Sequence, residues 1–172
     1  VNISAIQFHQ SGLVSRIERI LSESAIDPAR LELEITETAL LDAETAVLST
    51  MEQLHRHGVS FALDDFGIGF SSLASLRRFP FDKIKIDQCF VSNVGSTADA
   101  TIVLAIVSIG RALGLKVVAE GVETVEQHKF VATAGVHALQ GYLFARPMKS
   151  TDVAAFVAEF EHRPGLAAFA GR

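Results

Sequence analysis

Two periods of apolar residues alternate along this chain. Short β-branched runs are followed by stretches of roughly 10–17 residues with apolar positions at helical spacing. The first run is "VNIS" (1–4). A helix is predicted over 12–25, where Leu13, Ile17, Ile20 and Leu21 share one face. In "LELEIT" (31–36), Leu31, Leu33 and Ile35 alternate with Glu32 and Glu34, the pattern of a strand. A helix follows from Ala43 to His57, with Asp42 as N-cap and Gly58 as the residue after its end. "VSFAL" (59–63) is a third strand, and "SSLASLRRF" (71–79) is a short helix stopped by Pro80. "KIKID" (83–87) is a fourth strand, followed by a long helix over 98–113 that ends at Gly114. "LKVVA" (115–119) is a fifth. A helix runs from Thr124 to Gly135, "HALQ" (137–140) is a sixth strand, and a helix over 152–161 closes one domain spanning 1–161. The tail 162–172 lacks periodicity and is expected to be flexible.

Strands alternating with helices imply an α/β fold with a parallel sheet. The polar residues say which kind. A group able to bind metal or phosphate sits at the C-terminal end of every predicted strand: Asn2, Glu34, the pair Asp64 and Asp65, Lys85, Glu120 and Gln140. An open sheet gathers its ligands at one switch point in the strand order. Polar ends on all strands point instead to a ring, a TIM-like (β/α)8 barrel with its site on the C-terminal face. About six βα units are present where eight are needed. Because the sequence opens inside an apparent strand, the expectation is that two strands lie upstream and that the barrel here is incomplete.

Composition narrows the function. The chain of 172 residues is 49% hydrophobic and 20% charged, as a folded domain is. A net charge of −5 argues against a nucleic-acid polymer as partner, but allows a small anion held through a metal. Cys89 is the only cysteine, which leaves no disulfide frame and suits a reducing setting, either the cytoplasm or the cytoplasmic domain of a membrane-anchored protein. The most apolar stretch, 101–119, is interrupted by Arg111 and Lys116, so no membrane segment is predicted. No signal peptide is apparent.

The adjacent aspartates carry the chemistry. Two neighbouring carboxylates repel, and a divalent cation between them removes the penalty. Glu34, Asp64, Asp65 and Glu120 are hard oxygen donors that suit Mg²⁺ or Mn²⁺ and not Zn²⁺. Two such ions serve phosphodiester cleavage. Plainer explanations exist for single residues. An Asp–Asp pair before Gly67 can be a turn, and Glu120 and Glu123 can be first-turn acids of a helix. Gln140–Gly141 can be a simple turn. Lys83 is expected at the surface or the bottom face, and Glu32 shares the face of Glu34 with no assigned role. His55 and His57 form an H-x-H pair near a helix C-terminus, where a positive charge is mildly favourable and metal binding is not expected; His9, His128, His137 and His162 show no ligand spacing. "FGIGFSS" is expected to be a mobile loop shaping the site, with Phe66 and Phe70 as packing residues.

Taken together, "VNIS", "LELEITE", "DDFGIGFSSL", "FDKIKID", "VVAEGVET" and "QGYLFARP" closely resemble, in order, the motifs of the EAL domain family, the bacterial cyclic di-GMP phosphodiesterases. They span residues 1–147. The resemblance implies that Asn2, Glu34 and Asp64 bind a first Mg²⁺ or Mn²⁺ ion, that Asp64 bridges to a second held by Asp65, and that Glu120 is a further ligand. Lys85 would contact the attacking water, so Lys85, Glu120 and Asp65 carry catalysis. Glu37 would anchor the loop containing Gly67, Gly69, Ser71 and Ser72, with Glu123, Gln140 and Pro147 in support. The implied reaction is in-line attack of an activated water on one phosphodiester of cyclic di-GMP, giving linear pGpG, with Ca²⁺ inhibitory. The glutamate of the motif that names the family falls upstream of "VNIS" and is absent. The expectation is therefore a truncated domain with an incomplete metal site and exposed sheet edges, able to pair as a homodimer. An upstream signalling domain (diguanylate cyclase-like, receiver or sensor) is expected in the full protein. The alternatives are a module that binds cyclic di-GMP without cleaving it, or an inactive fragment that dimerises.

Overall fold

The computed structural model describes residues 1–8, 10–37, 44–69 and 73–161. The expected N-cap Asp42, Ala43, Phe70, Ser71, Ser72 and the tail 162–172 lie outside the described residues. In chain order the elements are α1 (Ala5–Phe8), α2 (Leu13–Ser24), a 3₁₀ turn (Pro28–Arg30), β1 (Glu32–Thr36), α3 (Glu44–Arg56), β2 (Ser60–Phe66), α4 (Leu73–Arg78), β3 (Lys83–Ile86), α5 (Gln88–Ser92), α6 (Thr97–Leu113), β4 (Lys116–Ala119), α7 (Val125–Ala134), β5 (Ala138–Leu139) and α8 (Ser150–Glu161).

All strand pairs are parallel, and the spatial order is β1-β2-β3-β4-β5. Each strand lies beside its predecessor and the order never reverses. A doubly wound sheet must reverse at its switch point; a barrel does not, so the sheet is a sector of a (β/α) barrel. The helix ends fall where local chemistry puts them. Gly114 and Gly135 take left-handed φ values of 72° and 92° after α6 and α7, a conformation glycine reaches without a Cβ penalty. Thr124 and Gln127 form a reciprocal capping box at the start of α7.

Two elements differ from the sequence pattern. "VNIS" forms one parallel bridge, Asn2 to Glu34, and no extended strand. Its backbone follows β1 through Ile3 N donating to Glu34 O and Glu34 N donating to Val1 O, both at 2.9 Å, before turning into α1. The short α5 was not apparent from periodicity. It forms because Asp87 caps it, accepting from Cys89 N at 2.7 Å.

The sheet has two unlike faces. Leu33, Ile35, Phe61, Leu63, Ile84, Ile86, Val117 and Ala119 are buried in one core with Val47, Met51 and Leu54 of α3 and Val103, Ile106 and Val107 of α6. Each large side chain in that layer contributes about 1.5–3 kcal/mol by leaving water. The residues of opposite parity, among them Glu32, Glu34, Asp64, Lys83 and Lys85, face the other side, which is the inner face of the barrel sector.

Candidate active site on the inner face

The pair Asp64–Asp65 solves a geometric problem. Successive residues of a regular strand point to opposite faces. In β2 the register slips: Leu63 pairs with Ile84 and Phe66 with Ile86, three steps on one strand against two on the other. Asp65 takes up the extra residue with a left-handed φ of 54°. Aspartate tolerates this region better than most side chains, at a cost of about 1–2 kcal/mol. The bulge keeps both aspartates on one side. Ligand oxygens of Asp64, Asp65 and Glu120 lie within 4.8 Å of one another.

Lys85 is the centre of the cluster. Its Nζ lies 3.0 Å from Glu34 Oε2, 3.1 Å from Asp64 Oδ1 and 2.6 Å from Glu120 Oε1. These residues come from β3, β1, β2 and the end of β4, so four strands converge on one ammonium. Lys85 is 4% exposed. Burial alone would lower its pKa, but the Glu120 and Glu34 carboxylates outweigh that and hold it above the ordinary lysine value. Glu120 is raised by burial, a shift that Lys85 partly offsets. Asp65 is raised by burial, then by the charges of Asp64 and Asp87. One step lower on the same face, Lys83 pairs with Glu32 at 2.5 Å, both side chains about a quarter exposed. Lys83, expected at the surface or the bottom face, lies toward the bottom of the inner face and is partly exposed; strand parity alone could not reveal its partner Glu32.

The other expected residues fall into two groups. Asn2 is in register with Glu34 and is exposed. Glu37 is 5% exposed, and neither carboxylate oxygen has a hydrogen-bond partner among the described residues. A Cβ at Gly69 would stand 2.7 Å from its carboxyl carbon, so the carboxylate packs where only glycine leaves room. A Cβ at Gly67 would stand 2.9 Å from the Phe90 ring. Asp65, Glu120, Glu123, Gln140 and Pro147 border a cavity of about 680 Å³. Gly141 after Gln140 has no space for a side chain, because its Cβ would overlap the Val122 backbone. His55 and His57 pair with Asp82 (3.3 Å) and Glu18 (2.9 Å) on the outside of the domain.

Sequence reasoning missed Asp87, Gln88, Tyr142 and Arg146, which also line the cavity. Asp87 had a usable signal: it is two residues beyond Lys85 and shares its parity. Tyr142 and Arg146 sit within the "QGYLFARP" motif without periodicity to mark them. Arg146 Cζ lies 4.7 Å from the centre of the Tyr142 ring.

Comparison with known proteins agrees with this geometry. The bifunctional diguanylate cyclase/cyclic di-GMP phosphodiesterase MucR of Pseudomonas aeruginosa is 46% identical over 160 residues, covering 92% of this chain and 23% of that protein. The chain therefore spans less than a quarter of that curated relative. A solved complex of the MucR phosphodiesterase with c-di-GMP superimposes with a TM-score of 0.85 at 44% identity, covering 89% of this chain and 62% of the other. BlrP1 of Klebsiella pneumoniae, solved with manganese and cyclic di-GMP, gives 0.79 at 34% identity over 86% of this chain and 38% of that one. The EAL domain family matches residues 1–147. The match begins at the backbone bridge that brings Asn2 to Glu34 and runs through the cavity wall at Pro147, and the chain belongs to the EAL domain family.

Proposed function

We propose that this chain forms most of a domain that hydrolyses cyclic di-GMP to linear pGpG. The observation that carries the reading is the convergence of Glu34, Asp64 and Glu120 on Lys85, with Asp65 turned to the same side by the β2 bulge. The donor set fits divalent metal: the oxygens are carboxylate apart from the Asn2 amide, and those of Asp64, Asp65 and Glu120 are close enough to share ions. Asn2, Glu34 and Asp64 would hold one Mg²⁺ or Mn²⁺, Asp64 and Asp65 a second, with Glu120 a further ligand. When bound, such ions neutralise the phosphodiester and acidify water.

The chain's own residues do the rest. Lys85 remains an ammonium among its carboxylates, so it donates hydrogen bonds and orients a water; it is not a base. Glu37, packed against Gly69, holds the loop after the aspartates against the site. Glu123, Gln140 and Pro147 border the space in which the dinucleotide lies. Calcium, which accepts six to eight ligands in loose geometry, is expected to inhibit.

The domain reading spans 1–161, with 162–172 as a flexible tail. An upstream signalling domain, diguanylate cyclase-like, receiver or sensor, belongs to the reading, and the naming of MucR as a bifunctional diguanylate cyclase/phosphodiesterase favours the first of these. None of the described helices is long and apolar enough to cross a membrane, and the lone cysteine suits the cytoplasm. Among the described residues the sheet does not close: β5 is one edge, and the other is the short segment Val1–Ile3 bridged to β1. Such edges pair with other chains, so a homodimer belongs to the reading and sedimentation tests it. The central test is chromatographic detection of pGpG after incubating the full-length protein with cyclic di-GMP and Mg²⁺ or Mn²⁺. Glu34→Gln and Asp64→Asn should each abolish turnover while leaving the circular dichroism unchanged. Turnover retained in either variant defeats the assignment.

A further inference from the structure

The cavity of about 680 Å³ beside the carboxylates is far larger than a pair of metal ions needs and lies within the range of small-molecule sites. Its charges are uneven. Asp65, Asp87, Glu120 and Glu123 line it, and Arg146 is the one basic side chain among its lining residues. Arg146 comes from the segment after β5 and is exposed, with its guanidinium over the Tyr142 ring. Among the described residues it forms no ion pair, so its N–H donors are available. Val153 and Phe156 of α8 add an apolar wall to the same cavity. An aromatic and aliphatic lining around one forked donor suits a flat base with two acceptors on an edge. A phosphate to be cleaved belongs instead beside Lys85 and the aspartates. Guanine offers the acceptor pair O6 and N7, which arginine reads in bidentate fashion, whereas adenine presents a donor at N6.

We propose that Arg146, held over Tyr142, is a specificity-determining residue that selects guanine in this cavity by donating to O6 and N7. The proposal rests on the cyclic di-GMP reading above. It concerns binding alone, and no bond is made or broken.

The test is titration calorimetry of the full-length protein with calcium as the divalent ion. The ligands are cyclic di-GMP, cyclic di-AMP and a cyclic di-GMP analogue carrying 7-deazaguanine, which lacks N7. Arg146→Met keeps an unbranched side chain beside Tyr142 and removes the guanidinium fork that lies over the ring. It should weaken cyclic di-GMP binding by about 5- to 150-fold, the value of a bidentate contact. It should leave cyclic di-AMP nearly unchanged. The 7-deaza analogue should bind the unsubstituted protein more weakly than cyclic di-GMP and lose less affinity on the substitution, because only the O6 contact remains to be removed. Arg146→Lys should not rescue, because an ammonium is a point donor without the fork. Equal loss for both dinucleotides would mean that Arg146 serves a phosphate, and no loss would mean that it serves neither; each overturns the proposal while sparing the functional reading. Unsubstituted protein that binds no cyclic dinucleotide would overturn both.

Discussion

Replacing Lys85 with methionine removes the one cation on which Glu34, Asp64 and Glu120 converge and keeps the length of the side chain. The three carboxylates are 20%, 13% and 17% exposed, so water relieves little of their mutual repulsion. Removing one partner from a buried ion pair costs about 3–5 kcal/mol; partial exposure puts this case near the lower figure, about 3 kcal/mol. With a urea slope of about 1–3 kcal/mol/M, the unfolding midpoint in EDTA at neutral pH should fall by about 1–3 M. Manganese should then restore more stability to Lys85→Met than to the unsubstituted chain, because the divalent ion replaces the missing charge; at 100 times Kd the gain is about 2.7 kcal/mol. The pH dependence has a definite sign. In the unsubstituted chain the folded-state pKa of Lys85 is raised, so its contribution is full below the ordinary value of 10.5 and is lost above it. In the variant Glu120, already raised by burial, loses the Lys85 charge that partly offset the rise, so it takes up a proton more readily folded than unfolded and stability rises as pH falls toward the carboxylate range. The gap between the two proteins should narrow in acid. Coincident urea transitions in EDTA, or equal stabilisation of both proteins by manganese, would refute the reasoning.

Asp65→Gly relieves a left-handed aspartate flanked by Asp64 and Asp87; the metal-free chain should gain about 1 kcal/mol in a urea melt while manganese affinity by calorimetry falls. Gly141→Ala places a methyl group against the Val122 backbone, which cannot yield as a side-chain tip can. It should cost about 3 kcal/mol, and an unshifted thermal transition would contradict the packing described. Burial lowers the pKa of His128, so the unfolded chain binds a proton that the folded one resists. Stability should therefore fall as pH drops through the ordinary value of 6.5, with a slope of up to about 1.4 kcal/mol per pH unit; His128→Phe should remove that slope.

Most of the element order was legible in the residues, because the two periods differ and each is enforced locally. α2, α6 and α7 lie within a residue or two of their predicted spans, and Gly114, Gly135 and Thr124 end or start helices for reasons internal to a few bonds. The first strand was not legible as drawn. "VNIS" has the composition of a strand, but the length of a ladder is set by its neighbour, and here the chain leaves β1 after one bridge. α5 escaped notice because five residues are too few for a period and only the Asp87 cap announces it.

The same division runs through the site. The residue types and their places at strand ends determined by themselves that oxygen-rich chemistry gathers on one face, since parity and strand order are one-dimensional properties. Which atoms meet was decided in three dimensions. The bulge that turns Asp65 back beside Asp64, the diagonal reach of Lys85 across to Glu34 and Glu120, and the pairing of Lys83 with Glu32 all depend on how far neighbouring strands are staggered. Stagger is set by packing between segments distant in sequence, and no local pattern encodes it.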